Sequence, residues 1–203
     1  MIERENRFYV VPRKDPTYYT VFPSPLGNLG LLASAQGLRW IWWSEMVALL
    51  TRIWQHEQLP LISGPVKECL GMWRDWLTHY FDGLSPPRAQ GGALDLRNIT
   101  PFQKQLLPIL CSIPYGETWS YGQVAREMGS HALAHAVGRA CAANPLPIVI
   151  PCHRVVSQNG TLGGYTMQGI PKSSSKGVSG SLKVKAWLLS HERQTVTGRI
   201  DKS

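Results

Sequence analysis

The first third of the chain carries short apolar runs that are broken by turn-forming residues. Three such runs are rich in β-branched and aromatic residues, a pattern typical of antiparallel strands; they span 18–22, 30–34 and 38–43. Apolar residues then recur at helical spacing between 66 and 81, which predicts a helix. We also expect a helix over 45–55. Residues 1–17 are polar, and we expect an irregular leader there.

A change in composition divides the chain. Residues 84–92 contain two prolines, two glycines and one serine, which is typical of a linker. We therefore predict an α/β (α+β) domain with a small antiparallel sheet over 1–93. A mainly helical domain follows over 94–192, and a flexible tail over 193–203.

Helix starts are well marked in the second half. Thr100 and Ser120 each precede a helical pattern and are followed three residues later by glutamine, which is the signature of a capping box. Gly129 ends the short helix after Ser120, and a third helix follows to about residue 143. Two short helices joined by a tight glycine turn predict a helix-turn-helix.

The third helix has two unlike faces. An apolar stripe predicts its buried side, which comprises Leu133, Ala136, Val137, Ala140 and Cys141. The opposite face is nearly bare of bulk and comprises Ala134, His135, Gly138, Arg139 and Ala142. A helix that reads the major groove carries longer polar side chains, whereas a bare face lets the backbone approach a minor groove closely. The alternative is an alanine-rich helix buried on both sides.

Charge and cysteine content bound the function further. Lys and Arg exceed Asp and Glu by 21 to 13, a net charge of +8, which suits a polyanionic partner but also many ordinary basic proteins. The N-terminus has no apolar signal core and no run approaches a membrane span, so we expect a protein that is not secreted. No close cysteine pair predicts a disulfide or a zinc knuckle; the cysteines are Cys69, Cys111, Cys141 and Cys152.

A proline-rich segment, 144–156, presents the candidate chemistry. Its three prolines oppose a helix, and residues 148–150 are β-branched and apolar, so we expect a buried, extended run that holds Cys152 and His153 in one place. A thiol becomes a nucleophile when a base or a cation stands beside it. A buried structural cysteine beside a surface histidine is the alternative.

Extended geometry would point neighbouring side chains to opposite faces. His153 should then reach Cys152 through one bridging water rather than directly. A base in this position needs a third group that fixes its tautomer. The residues alone leave three candidates open: Glu117, Glu127 and Glu192.

The run Pro-Cys-His-Arg-Val at 151–155, with Asn144-Pro145 upstream, closely resembles the active-site signature of the O6-alkylguanine-DNA alkyltransferases. The resemblance extends from about residue 24 to 192, and includes Gly163-Gly164-Tyr165 and the closing Trp-Leu-Leu-Ser-His-Glu. It implies a ribonuclease H-like N-terminal domain. Some members hold zinc in that domain, but Cys69 is the one cysteine there, so we predict no metal.

The same resemblance implies a reaction, a partner and a compartment. The reaction is irreversible, single-turnover transfer of an alkyl group from O6-alkylguanine to Cys152, with no cofactor, and O4-alkylthymine is a second candidate substrate. The partner is duplex DNA that contains the lesion. We expect a monomer with no obligate protein partner, in a prokaryotic cytoplasm or a eukaryotic nucleus.

Residue roles are also carried over from the family. His153 would take the thiol proton through water, Glu192 would orient His153, Tyr121 would protonate the leaving guanine, and Asn144 would brace the hinge before Cys152. The implied pocket comprises Val155, Tyr165, Thr166 and Cys141. The implied DNA-binding set comprises Tyr121, Ala134, His135, Ala136, Gly138 and Arg139.

Two departures and two rival functions accompany the resemblance. His135 stands where typical members carry an arginine that fills the space left by the flipped base. The Gly/Ser-rich segment 166–181 is roughly ten residues longer than expected, and we predict that it is mobile.

A non-catalytic alkyltransferase-like damage-binding protein would lack the cysteine. A cysteine hydrolase would need an oxyanion hole, which no motif here indicates.

Overall fold

The computed structural model describes five stretches of the chain: residues 8–11, 17–43, 64–84, 92–165 and 180–200. Backbone contacts divide the chain into two compact units. The first comprises Met1–Asp82 with Pro86–Arg97, and the second comprises Gly83–Ser85 with Asn98–Ser203.

The first unit is built on a four-stranded antiparallel sheet in which sequential strands are neighbours. The strands are β1 Phe8–Val11, β2 Thr17–Ser24, β3 Gly27–Ser34 and β4 Gly37–Trp43. The three strands predicted from the sequence are confirmed, each slightly longer than expected. The irregular leader is wrong for 8–11, because this apolar, β-forming run pairs with β2 along its whole length.

Helix α1, Pro65–Phe81, contacts β2, β3 and β4, and confirms the helix predicted over 66–81. It buries Leu70, Trp73, Leu77 and Tyr80. Two of the three clustered tryptophans of β4, Trp42 and Trp43, are also buried. The helix expected over 45–55, and most of the linker expected over 84–92, lie outside the described residues.

The boundary between the units differs from the predicted position at residue 94. The backbone N–H of Leu38 donates to Ala93 O at 2.9 Å, and that of Asp95 donates to Leu38 O at 2.8 Å. The Asp95 carboxylate accepts from Ser34 and Arg97, each at 2.7 Å. Residues 93–97 therefore belong to the first unit, because composition marks a linker but does not show which backbone groups pair beyond it.

The second unit is mainly helical. Its elements are α2 Pro101–Ser112, β5 Trp119–Ser120, α3 Tyr121–Glu127, α4 Ala134–Ala142, β6 Val155–Val156 and α5 Gly180–Ile200, with 3-10 turns at His131–Leu133 and Cys152–Arg154. Both predicted capping boxes are confirmed, with side-chain and backbone bonds closed in each direction. Strands β5 and β6 form a short parallel pair.

Two helix boundaries in this unit differ from expectation. Ser130 caps the 3-10 turn, so α4 itself begins only at Ala134. Helix α5 continues to Ile200, so the flexible tail expected from 193 is wrong for residues 193–200. The helix-turn-helix and ribonuclease H-like assignments stay predictions.

Two further findings concern the described ranges alone. None of the helices found there is both long enough and apolar enough to cross a membrane. Those ranges also contain no group of three or more His, Cys, Asp or Glu residues that could hold a metal ion.

Candidate active site

The chain reaches Cys152 through tight turns rather than through an extended run. Ile150 N–H donates to Leu146 O at 2.9 Å, which closes a five-residue turn, and Ile148 within it has a φ of 75°. Cys152 N–H then donates to Ile150 O at 2.8 Å, and Pro151, with φ −82° and ψ 58°, forms an inverse γ-turn. The predicted extension is wrong because the fixed φ of proline suits turns as well as extended chain.

Asn144 ties this turn together. Its Oδ1 accepts from Leu146 N–H at 3.0 Å. Its Nδ2 donates to Ile150 O at 2.9 Å and to Cys152 Sγ at 3.1 Å. A β-branched residue in the left-handed region, such as Ile148, costs roughly 1–3 kcal/mol and persists only where its surroundings enforce it. The Asn144 amide supplies part of that enforcement and also contacts the sulfur.

Cys152 is buried, with 3% of its surface exposed. Burial raises the pKa of its thiol, while the Asn144 hydrogen bond and the Lys185 ammonium act in the opposite direction. The thiol is therefore the resting form, and a base is needed to produce the nucleophilic thiolate.

The three glutamates left open by the sequence are separated by the fold. Glu117 and Glu127 are exposed, whereas Glu192 is fully buried and lies against His153. His153 Nε2 lies 2.7 Å from Glu192 Oε1. Arg154 donates to both Glu192 oxygens, at 2.9 and 3.1 Å. Gly116 N–H donates to Oε2 at 3.0 Å, so the carboxylate is held from three sides.

Charge states in this cluster follow from burial and pairing. Burial by itself would raise the pKa of Glu192, but His153 and Arg154 outweigh it and hold that pKa well below its usual range. Burial lowers the pKa of His153, so its ring is neutral at pH 7 although Glu192 favours its charged form. Nδ1 of His153 is buried and has no hydrogen-bond partner in the described part of the chain. That nitrogen is available to a proton relay.

The strand alternation expected to orient His153 relative to Cys152 is wrong. Both residues lie in the 3-10 turn rather than in extended chain. The ring is directed by its bond to Glu192, which comes from α5. Tertiary pairing, not strand alternation, therefore sets its orientation.

Aromatic and thiol groups surround the sulfur. Tyr121 donates its hydroxyl to Gly164 O at 3.1 Å, and burial, with the Cys141 and Cys152 thiols, raises its pKa to about 12. Burial likewise raises the pKa of Tyr165 well above its usual value, with the same two thiols contributing. Burial also raises the pKa of Cys141. Val155 is fully buried directly after the turn. Thr166, the remaining predicted pocket residue, lies outside the described residues.

Gly163 shows how closely the active-site loop approaches α3. A Cβ atom at this position would lie 2.9 Å from Ser157 Oγ and 3.0 Å from Tyr121 Cε2, and the φ of 63° also favours glycine. Glycine here allows the loop to cover the Tyr121 ring.

The outward face of α4 borders a surface cavity of about 440 Å³. Its lining comprises Tyr121, Ala134, His135, Gly138, Arg139, Ala142 and Gly164. Four of the predicted DNA-binding residues on α4 therefore share one surface with Tyr121, and Ala136 does not line it. Val137 and Cys141 are buried on the other side of the helix, as the apolar stripe predicts.

Lys185 is the site residue that the sequence analysis missed. It is fully buried on α5, and its Nζ donates to backbone carbonyls at Val155, Leu162 and Gly164. The sequence does contain a signal for its burial: Lys185 precedes Glu192 by seven residues, and this spacing of two helical turns places both on one face of the helix. A search for apolar residues at helical spacing does not identify a buried lysine.

Comparison with known proteins places this geometry in a family. A family model described as "6-O-methylguanine DNA methyltransferase, DNA binding domain" matches residues 101–194. The methylated-DNA–protein-cysteine methyltransferase of Shigella flexneri is 36% identical over 83% of this chain and 91% of its own. The human protein of the same name is 34% identical over 85% and 79%. The constitutive Bacillus subtilis protein is 32% identical over 87% and 95%.

Solved structures agree with the sequence relatives. The structure of Mycobacterium tuberculosis OGT in complex with DNA matches with a TM-score of 0.62 at 31% identity, covering 86% of this chain and 92% of that one. The Pyrococcus kodakaraensis O6-methylguanine-DNA methyltransferase, at 22% identity and a TM-score of 0.50, shares the fold. With the Cys152 cluster, these similarities show that the chain belongs to the methylated-DNA–protein-cysteine methyltransferase family.

Proposed function

We propose that the protein repairs alkylated duplex DNA by moving the alkyl group of O6-alkylguanine onto Cys152, once per molecule. The observation that carries this is the arrangement around one sulfur. Cys152 Sγ accepts from Asn144, and the neighbouring His153 is fixed by a fully buried, anionic Glu192. A buried charged network of this kind next to a buried thiol is costly to maintain for packing alone.

The reaction begins with removal of the thiol proton. His153 is neutral and Glu192 holds its Nε2, so Nδ1 accepts the proton through one water. The imidazolium that forms is stabilised by the Glu192 carboxylate. Hydrogen bonding from Asn144 and the charge of Lys185 favour the thiolate over the buried thiol.

The thiolate then attacks the alkyl carbon in line. A C–S bond forms, the C–O6 bond breaks, and the bonding electron pair stays with guanine. Tyr121, whose raised pKa keeps it protonated, gives its proton to a guanine ring nitrogen. The proton on His153 returns through solvent to Tyr121. The net change is one alkyl group on sulfur and one proton on guanine.

DNA engagement is assigned to α3 and α4, acting as a helix-turn-helix. The small residues of the outward α4 face, Ala134, Gly138 and Ala142, line the same surface as Tyr121. Such a face permits close contact with a minor groove and shape-based binding. The target base is then rotated out of the stack into a pocket formed by Tyr165, Cys141 and Val155, with Thr166 added by resemblance.

Mass spectrometry of the intact protein after incubation with O6-benzylguanine tests this function. We expect one stable benzyl adduct that maps to Cys152. Cys152→Ser should form no adduct but keep lesion binding, since it removes the nucleophile and little volume. Lesion binding without any adduct in the wild type would indicate a damage-binding protein, and repeated turnover would indicate a hydrolase. Stoichiometric transfer by Cys152→Ser would falsify the mechanism.

A further inference from the structure

The ammonium group of Lys185 is buried within the second unit, and the reaction described above assigns it only a general electrostatic part. Lys185 Nζ donates to Val155 O at 2.6 Å, to Leu162 O at 2.5 Å and to Gly164 O at 3.3 Å. An ammonium group has three donors and no acceptor. All three donors of Lys185 are therefore used on backbone carbonyls.

These carbonyls belong to two separate segments. Val155 begins β6, directly after the 3-10 turn that carries Cys152. Leu162 and Gly164 lie on the loop that leads into Tyr165. One side chain from α5 therefore joins the segment of the nucleophile to the segment of a pocket wall.

The same ammonium also lies near both pocket tyrosines. Nζ is 5.8 Å from the ring centroid of Tyr121 and 5.7 Å from that of Tyr165, within the range of a cation–π contact. The Tyr121 hydroxyl in turn donates to Gly164 O, which Lys185 also binds. The position of each ring is thus coupled to the lysine through the loop backbone.

An apolar side chain of similar length would fill the space but leave these carbonyls without the ammonium donor, which is unfavourable above all for the buried Val155 carbonyl. Arginine would keep the charge. Its planar, fixed fork of donors does not match three carbonyls that converge on a point. A compact cation such as lysine therefore fits the three carbonyl contacts better than an apolar residue or arginine does.

We propose that Lys185 is a positioning residue for alkyl transfer: by clamping Val155, Leu162 and Gly164 together, its ammonium holds the Tyr165 wall of the pocket at the distance from Cys152 that the flipped base requires. This inference rests on the proposed function. It adds that the pocket is held from α5.

The clamp should be pH-dependent. Burial lowers the pKa of Lys185 to about 8, while the Cys152 and Cys141 thiols act in the opposite direction. The other titratable groups that face it are His153, Tyr121 and Tyr165. Because the ammonium is the donor, the clamp is complete below about pH 8 and weakens above it. Alkyl transfer, which starts from the resting thiol with His153 as its base, should therefore fall above about pH 8 as Lys185 loses its proton.

Two reagents separate positioning from charge. O6-Benzylguanine needs a pocket that orients a base, whereas the small reagent iodoacetamide needs the thiolate and access to it. Peptide mapping restricts the second measurement to Cys152. In Lys185→Arg, benzylguanine transfer should fall about tenfold to a hundredfold, the range that a misplacement of about 1 Å costs. Iodoacetamide reactivity should stay within about twofold, because the positive charge remains. Lys185→Met should slow both reactions, and its residual rates should show no fall above about pH 8.

Lys183→Met is the matched control, since this lysine is exposed on the same helix; its rates should equal those of the wild type. Thermal unfolding of each variant shows whether it folds, and if Lys185→Met does not, Lys185→Arg decides. Wild-type benzylguanine rates in Lys185→Arg, or an equal loss with both reagents, would overturn the positioning role. Failure of the wild type itself to form the Cys152 adduct would instead overturn the proposed function.

Discussion

At the scale of single residues, the second unit balances burial against charge around Cys152. Burial raises the pKa of this thiol, which opposes catalysis, yet the same burial keeps Glu192 and Arg154 in a tight pair whose geometry water would loosen. His153 receives its orientation from that pair. In the proposed mechanism, reactivity at the sulfur therefore depends on a carboxylate that acts through His153.

Replacing Glu192 tests this dependence. Glu192→Gln removes the charge that pairs with Arg154 and replaces one of the two acceptor oxygens with an NH2 donor, so that the side chain no longer accepts from His153 and Arg154 on both atoms. Breaking one side of a buried pair costs about 3–5 kcal/mol, so we expect a clear drop in the free energy of unfolding and at least a tenfold slower benzylguanine reaction. Chemical denaturation and single-turnover kinetics at pH 7 give the two values.

The pH dependence of that stability loss has a definite sign. The pKa of Glu192 lies below its unfolded value of about 4.3, so its contribution is complete above that pH and is lost as the pH falls further. The stability gap between wild type and Glu192→Gln should therefore narrow below about pH 4. Glu127→Gln, at an exposed site, should change neither stability nor rate. A constant gap down to pH 2 would contradict the buried ion pair.

At the scale of elements, α4 presents two faces with different tasks. Val137 and Cys141 pack inward, while small residues and two longer ones, His135 and Arg139, line the outward cavity. By the resemblance, typical family members carry an arginine at the position of His135, and that arginine occupies the space left by the flipped base. Histidine is shorter than arginine, so it fills that space less completely.

His135→Arg should therefore speed repair of O6-methylguanine in duplex DNA. Flipping costs a few kcal/mol, and a longer, charged filler offsets more of that cost. Reaction with the free base benzylguanine should not change, because no flipping is involved. Stopped-flow or quench kinetics on both substrates measure the two rates.

Ala142→Arg is the control for charge alone, since it adds an arginine to the same exposed face two turns later. It should tighten DNA binding without the same gain in repair rate. Slower duplex repair by His135→Arg would show that His135 has an adapted role of its own.

At the scale of the whole molecule, the excess of 21 basic over 13 acidic residues, +8 in total, favours a polyanionic partner. DNA affinity should fall with salt, with log K decreasing by roughly 0.9 per phosphate contact for each log unit of salt. We expect about four to six contacts for a domain of this size. Fluorescence polarisation with a labelled duplex between 50 and 200 mM salt, in the range used for such titrations, gives the slope. A flat response would mean that the charge serves another purpose.

Local features of this protein follow from the sequence by itself. The helix starts at Thr100 and Ser120 were predictable because a capping box joins groups only three residues apart. The strands and α1 were predictable because the regular spacing of apolar residues in each element indicates which face is buried. The nucleophile segment was recognisable for the same reason, since its motif is continuous in sequence.

What the tertiary structure alone decided depends on residues that are distant in sequence. Glu192 rather than Glu117 or Glu127 reaches His153 because α5 returns 39 positions later to the same turn. Lys185 is buried because three carbonyls converge on it, 21 to 30 positions away. The run of prolines and β-branched residues did not determine the conformation at Ile148, and the surrounding contacts set the turn there. Burial and pairing, which determine pKa and orientation, are properties of neighbours in space, and a linear pattern does not name those neighbours.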